Sequence, residues 1–169
     1  MSNKVSKQCT NLKNTILFFV FIGVILFRCF VMERVIVNGE SMYPTCRNGD
    51  VYMSRKAGIS PSRYDIVIAK NGYQTVIKRV IGLPGDTLVV SNGKVYVNGC
   101  PVDSKYDYIT DDAGILEDYY FLPENHYFLM GDNRSNSVDS RVYGSVSRED
   151  IKGIVISKIF PFWTSETEK

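Results

Sequence analysis

Ser41 is the residue whose setting in this sequence most suggests covalent chemistry. It lies in the segment 39–45, Gly-Glu-Ser-Met-Tyr-Pro-Thr, which follows the only long apolar run of the chain. A serine hydroxyl is a weak nucleophile until a neighbouring base removes its proton. We therefore predict that Ser41 is a nucleophile, and the chain must supply a base that activates it.

Histidine is the usual base, and the chain has a single one, His126, at the start of a predicted strand where a structural role is favoured. Tyr43 also replaces the second glycine of the Gly-x-Ser-x-Gly turn that many serine hydrolases use. Lysine is the other known partner of a catalytic serine. The pattern Ser-x-x-Lys does not occur at Ser41, because Pro44 occupies that offset. A lysine base must then come from elsewhere in the chain.

Lys78 is the lysine that lies in a strongly apolar predicted strand, 74–82. Side chains alternate along a strand, so Lys78 shares a face with Val76 and Val80. Burial on that face would lower the lysine pKa from about 10.4 and favour the neutral amine that a base requires. Arg79 points to the opposite face and cannot serve, because a guanidinium does not lose its proton. A Lys78 with a buried stem and a solvated amine is the open alternative.

The segment 130–144 concentrates two aspartates, two arginines, two asparagines and three serines between predicted strands. A polar loop of this kind is typical of a hydrogen-bonded scaffold beside a site. An EF-hand calcium loop is not indicated, because Arg134 occupies a ligand position.

The apolar run covers residues 15–32, which matches the roughly 17–25 residues that cross a bilayer. Arg28 near its end can extend to the interface. The residues that follow do not resemble the small-residue cleavage site of a signal peptide. We predict an uncleaved transmembrane anchor, with a buried core helix as the alternative. Three lysines before the run favour a cytoplasmic segment 1–14 and an extracytoplasmic catalytic domain 33–169.

The remainder of the chain is predicted to be mainly β. It is rich in tyrosine, phenylalanine, valine and isoleucine, and glycine-containing turns separate short alternating runs, with Asn92-Gly93 the clearest hairpin signal. An Asp- and Tyr-rich excursion at about 99–125 is predicted to be a solvated loop without calcium-ligand spacing. The predicted strands are 34–38, 50–54, 65–69, 74–82, 87–90, 94–97, 126–130 and 153–160.

Charge and cysteine content exclude two further classes of function. A net charge of +2 and scattered basic residues do not indicate a nucleic-acid surface. The four cysteines lack the C-x-x-C spacing of a zinc site. Cys46 and Cys100 could share an outer compartment, and unpaired thiols are the favoured interpretation.

Five motifs follow the apolar run in order: Ser41-Met42-Tyr43-Pro44-Thr45, then 49–51, 64–67, 78–86 and 131–141. Together they resemble bacterial type I signal peptidases, membrane-bound serine endopeptidases with a Ser–Lys dyad. The resemblance covers nearly the whole chain after Thr15. Gly39 stands where some members carry a serine that adds an oxyanion donor, and glycine there is similar to the Gram-positive members.

The resemblance implies a role for each residue of the site. Ser41 would be the nucleophile, with its backbone N–H as an oxyanion donor, and Lys78 would be the general base. Ser137 would hydrogen-bond and orient the lysine. The residues that would support the site are Asp132, Asn133, Asp139 and Arg141. The implied fold is a mainly antiparallel, barrel-like β domain with an inserted smaller β region that contains the excursion at about 99–125.

The resemblance also implies signal-peptide cleavage through an acyl-enzyme, after small residues of the Ala-x-Ala type, by a plasma-membrane monomer without cofactor or metal. Its partners would be preproteins and the lipid bilayer. An accessory peptidase for pilins or a few substrates is an alternative within the family. A self-cleaving Ser–Lys repressor would need a DNA-binding module in place of the anchor. A non-catalytic membrane-anchored β module would need neither Ser41 nor Lys78.

Overall fold

The computed structural model describes residues 13–25, 31–56, 58–72, 74–102, 110 and 112–160. The described part of helix α1 is residues 13–25, and the side chains of this part are exposed, although most are apolar. Among the described residues, no helix combines the length and apolar character needed to cross a membrane. Residues 26–30 of the predicted anchor lie outside this described part.

The strands of the described residues form two antiparallel sheets. The larger has seven strands in the order β1-β2-β11-β3-β4-β9-β10, and the smaller has four in the order β7-β6-β5-β8. The strands are β1 Met32–Ile36, β2 Val51–Arg55, β3 Ile66–Asn71, β4 Gln74–Gly82, β5 Thr87–Ser91, β6 Lys94–Val97, β7 Cys100–Pro101, β8 Tyr120–Phe121, β9 His126–Met130, β10 Val146–Ser147 and β11 Ile151–Phe160.

The mainly antiparallel β fold predicted from the sequence is confirmed, and three predicted strands match β4, β6 and β9 at both ends. The smaller sheet includes β5 and β6, so it begins at Thr87 and not near residue 99. Within 99–125 the described chain forms β7, β8 and a 3₁₀ turn, Gly114–Leu116. The larger sheet is open in the described chain, with β1 and β10 at its edges, so the barrel-like closure is not seen there.

The segment after β9 contains a short helix, α2, Ser140–Tyr143, that the sequence did not predict. Its four residues are too few for a helical period to be visible. Asp139 caps the helix, because its carboxylate accepts a hydrogen bond from the Arg141 N–H.

Strand β4 occupies a central position, since it pairs with β3 on one side and β9 on the other. Alternation along it turns Lys78 towards one apolar cluster, which includes Val67 and Val80. Arg79 faces the other side of the sheet. Strand β9 ends at Met130, which pairs with Arg79, so the polar segment 131–139 begins beside Lys78.

Candidate active site

Lys78 and Ser41 meet although 37 residues separate them in sequence. Lys78 Nζ lies 2.6 Å from Ser41 Oγ, within hydrogen-bond distance. The lysine is only 3% exposed and pairs directly with the fully buried Val67 of β3. The alternative of a solvated amine is therefore wrong.

Burial lowers the pKa of Lys78 below its ordinary value. The loss of solvation is the largest cause, and the positive charge of Arg141 acts in the same direction. The carboxylates of Asp139 and Asp132 oppose the shift without cancelling it. The amine therefore gives up its proton more readily than an exposed lysine would.

The segment that carries Ser41 is attached to the protein by its apolar residues. Met42 and Cys46 are buried in a cluster that Ile77 of β4 also contacts. The Cys46 N–H donates to the Met42 carbonyl, which closes the turn. Ser41 itself is half-buried. Its backbone is therefore held in place while its side chain stays accessible from solvent.

Gly131 allows the two parts of the site to approach closely. A Cβ atom there would overlap both Ser137 Oγ and the Ser41 carbonyl oxygen. No other residue type fits without displacing one of them. Close packing of the Ser41 and Ser137 segments beside Lys78 therefore requires a glycine at position 131.

Ser137 lies in the same region, with its Oγ buried against the position of Gly131. Within the described part of the chain this oxygen has no hydrogen-bond partner. It lies near Asp139 and contributes to lowering that carboxyl pKa, without the geometry of a hydrogen bond. Lys78 Nζ bonds to Ser41 Oγ and not to Ser137 Oγ. The lysine-orienting role of Ser137 therefore stays a prediction.

Asp139 and Arg141 form a buried bidentate ion pair. Arg141 Nε and Nη2 lie 2.8 and 3.0 Å from the two carboxylate oxygens, and the Gly131 N–H donates to Asp139 Oδ2 at 2.9 Å. Burial alone would raise the pKa of Asp139, but the bonds from Arg141 and Gly131 outweigh it and hold the pKa below its usual value. Arg141 also donates to the carbonyl of Arg134 at 2.7 Å. The pair therefore fixes the loop that carries Ser137.

Arg79 has a structural role that the sequence analysis missed. Its Nε and Nη2 donate to Asp132 Oδ1 and Oδ2 at 2.8 and 2.6 Å, and both residues are buried. Nη1 donates to the Tyr64 carbonyl at 2.8 Å, and Nη2 lies 3.4 Å from Thr45 Oγ1. An arginine inside an apolar strand was itself a signal, because such a charge requires a buried partner.

His126 lies away from the candidate site. It stands at the opposite end of β9 from Met130, about 13 Å away at roughly 3.3 Å per residue. Its Nδ1 contacts the Glu124 carbonyl at 2.9 Å. This placement agrees with the structural role predicted for the histidine.

Two further observations concern groups other than Ser41 and Lys78. Cys46 is a buried free thiol and Cys100 an exposed one, so the interpretation of unpaired thiols is confirmed for these two, while Cys9 and Cys29 lie outside the described residues. Burial raises the pKa of Cys46, which keeps it a thiol. Within the described residues, no cluster of His, Cys, Asp or Glu side chains could hold a metal ion.

Comparison with known proteins assigns the family. The model of the family "Signal peptidase, peptidase S26" matches residues 10–163. Signal peptidase I S of Bacillus subtilis (strain 168) is 37% identical, over 82% of this chain and 82% of that protein. The signal peptidase I of Bacillus licheniformis is 34% identical, over 92% of this chain and 95% of that protein.

Among solved structures, a signal peptidase I from Enterococcus faecalis V583 is 30% identical and covers 58% of this chain and 98% of that one, with a TM-score of 0.47. The family match and the two Bacillus relatives confirm the resemblance carried by the ordered motifs. The chain belongs to the signal peptidase family, peptidase S26.

Proposed function

We propose that Ser41 and Lys78 carry out the peptide-bond cleavage by which this signal peptidase releases signal peptides from preproteins. The observation that carries the proposal is the 2.6 Å contact between Lys78 Nζ and Ser41 Oγ. It joins a nucleophile to a base whose pKa is lowered by burial. Together they fit serine activation by a neutral amine.

In the first half of the reaction, neutral Lys78 removes the Ser41 proton while Ser41 Oγ attacks the carbonyl carbon before the scissile bond. The negative charge passes to the carbonyl oxygen, where the Ser41 backbone N–H acts as one donor. The tetrahedral intermediate then collapses, and protonated Lys78 gives its proton to the leaving amine. The products of this half are an acyl-enzyme and the free amino terminus of the mature protein.

In the second half, neutral Lys78 takes a proton from water as the water oxygen attacks the ester carbon. Collapse of that intermediate returns the proton to Ser41 Oγ and releases the signal peptide as a carboxylic acid. We assign Asp139, Arg141, Asp132 and Asn133 to holding the loop and the nucleophile segment in place. Ser137 is proposed to orient the lysine once a substrate is bound. Cleavage after small residues of the Ala-x-Ala type is proposed from the family.

The pH dependence of preprotein cleavage tests the role of Lys78. Activity requires the neutral amine, so kcat/KM should rise with pH through the pKa of Lys78 in the free enzyme. Because burial lowers that pKa, the midpoint of the rise should lie below the ordinary lysine value of 10.5. The measurement is kcat/KM for a preprotein in vesicles, with circular dichroism at each pH as a control for folding. A midpoint at the ordinary lysine value would contradict the proposal.

We also propose that residues 15–32 anchor the enzyme in the plasma membrane as a single span, with residues 1–14 cytoplasmic and 33–169 outside. Apolar side chains are exposed on every side of α1, and such a surface is suited to lipid. The segment that carries Ser41 then follows the span by a few residues, close to preproteins that are held in the membrane. A monomer suffices, since the dyad and its supports come from one chain.

Protease protection tests this topology. Protease added to intact spheroplasts should remove a tag at the carboxyl terminus and leave a tag at the amino terminus intact. A cytoplasmic marker protein, protected in the same sample, controls for lysis. Survival of the carboxyl-terminal tag in intact spheroplasts, with its loss after lysis, would contradict the proposed orientation.

A further inference from the structure

Asn133 is bonded to the nucleophile segment through both its backbone and its side chain. Its backbone N–H donates to the Ser41 carbonyl at 3.0 Å. Its side-chain Nδ2 donates to the Glu40 carbonyl at 3.2 Å, across 93 residues of sequence. Asn133 Oδ1 accepts a bond from Ser135 Oγ at 3.3 Å, which leaves the amide nitrogen facing the Glu40 carbonyl. One residue thus contacts two consecutive carbonyls.

These two carbonyls belong to the two peptide planes that flank the Ser41 Cα atom. A peptide unit is planar, so fixing its C=O also fixes the N–H at its other end. The carbonyl of Glu40 shares its plane with the N–H of Ser41. The bond from Asn133 Nδ2 therefore restrains the direction in which the Ser41 N–H points.

The chain before this plane is held at the Gly39 N–H, which donates to Asn48 Oδ1 at 3.0 Å, but the dihedral angles of a glycine lie between that bond and the plane. Gly39 has φ near +98°, is exposed and has open space where a side chain would be. Glycine rotates more freely than other residues, so the Glu40–Ser41 peptide needs bonds that hold it. The Tyr43 N–H supplies one to the Glu40 carbonyl at 3.0 Å. Asn133 supplies the one that ties the peptide to the rest of the site.

We propose that Asn133 is a positioning residue that holds the Ser41 backbone N–H in the direction required of an oxyanion donor. The proposal rests on the proposed function, in which Ser41 is the nucleophile. The expected effect is on the transition state, where negative charge develops on the oxygen that the N–H faces. Binding of the ground-state substrate should change little.

The test compares Asn133→Asp with Asn136→Asp in the full-length enzyme. Aspartate has the shape of asparagine but its carboxylate cannot donate, so Asn133→Asp loses the bond to Glu40. Asn136→Asp places the same charge on an exposed residue of the same loop. Loss of a whole oxyanion donor lowers kcat about 10²–10³-fold. We expect roughly a 10- to 100-fold fall for Asn133→Asp, with KM within about threefold, because one donor is misdirected and not removed. Asn136→Asp should stay within about threefold of wild type.

A pair of inhibitors separates positioning from a general structural effect. A peptide aldehyde ending in alanine forms a hemiacetal with Ser41 Oγ, and its oxygen occupies the oxyanion position. The matching peptide alcohol cannot form this bond. In Asn133→Asp the Ki of the aldehyde should rise by the factor by which kcat/KM falls, while the Ki of the alcohol should stay near the wild-type value.

Several outcomes would overturn the proposal: wild-type kcat in Asn133→Asp, an equal loss in Asn136→Asp, or an equal rise in both Ki values. Asn133→Ala, which adds no charge, applies the same criteria if the aspartate variant does not fold. An inactive Ser41→Ala beside a fully active Asn133→Ala would overturn the positioning role alone. An active Ser41→Ala would overturn the proposed function itself.

Discussion

Ser41→Ala and Lys78→Ala are each expected to lower kcat for preprotein cleavage by roughly 10⁴-fold or more. Without Ser41 no acyl-enzyme forms, and without Lys78 the hydroxyl keeps its proton. Because the two groups act as one unit at 2.6 Å, the double variant should be no slower than the slower single variant. The measurement is single-turnover cleavage of a preprotein with purified enzyme in vesicles.

Two variants serve as controls for this result. His126→Ala removes the histidine at the far end of β9 and should stay within a fewfold of wild type. Lys78→Arg keeps a positive charge on a long side chain but cannot supply a neutral base, so it should be as inactive as Lys78→Ala. Wild-type rates in either dyad variant, or near-complete loss in His126→Ala, would show that the dyad assignment is wrong.

The second large effect is expected from the buried ion pair of Arg79 and Asp132. Asp132→Asn leaves the guanidinium, only 4% exposed, without its counter-charge. Breaking a buried pair in this way costs about 3–5 kcal/mol of unfolding free energy. For a chain of this size that corresponds to a fall in Tm of roughly 6–20 °C. Thermal unfolding in detergent, followed by near-ultraviolet circular dichroism, measures it.

The exposed pair of Lys56 and Glu33, 2.8 Å apart, is the matched control. Glu33→Gln removes the same kind of charge from a solvated pair, which contributes about 0–1 kcal/mol. The apolar double variant Arg79→Met/Asp132→Leu should be more stable than Asp132→Asn, because it leaves no unpaired charge. If Asp132→Asn and Glu33→Gln melt at the same temperature, the pair does not have the stabilising role assigned to it.

Much of the fold, and the position of Lys78 on an apolar strand, could be predicted from local patterns. The alternation in 74–82 gave both ends of β4 and the buried face that carries Lys78. A lysine between valines on one face is a local signal for a buried stem, whereas the 3% exposure of the whole residue depends on its neighbours in the fold. The turn at Asn92-Gly93 likewise joins β5 and β6.

The remainder depends on contacts between distant parts of the chain. Arg79 and Asp132 are 53 residues apart, and Asn133 and Glu40 are 93 apart. No periodicity within a segment specifies which carboxylate meets which guanidinium. The two-residue strands and α2 escaped prediction for a related reason: they are too short for a repeat to show.

Lys78 and Arg79 are adjacent on β4, and their side chains point to opposite faces of the sheet. Lys78 contacts Ser41, and Arg79 contacts Asp132. A strand that slips by one residue exchanges its two faces. A slip in one direction would put Arg79 in the position of Lys78, where a guanidinium cannot lose its proton, and a slip in the other direction would put the apolar Ile77 there. Single-residue insertions or deletions between β3 and residue 78 should therefore be far more harmful than changes of equal length in surface turns. The chemistry of this site thus constrains the length of the chain as strictly as its composition.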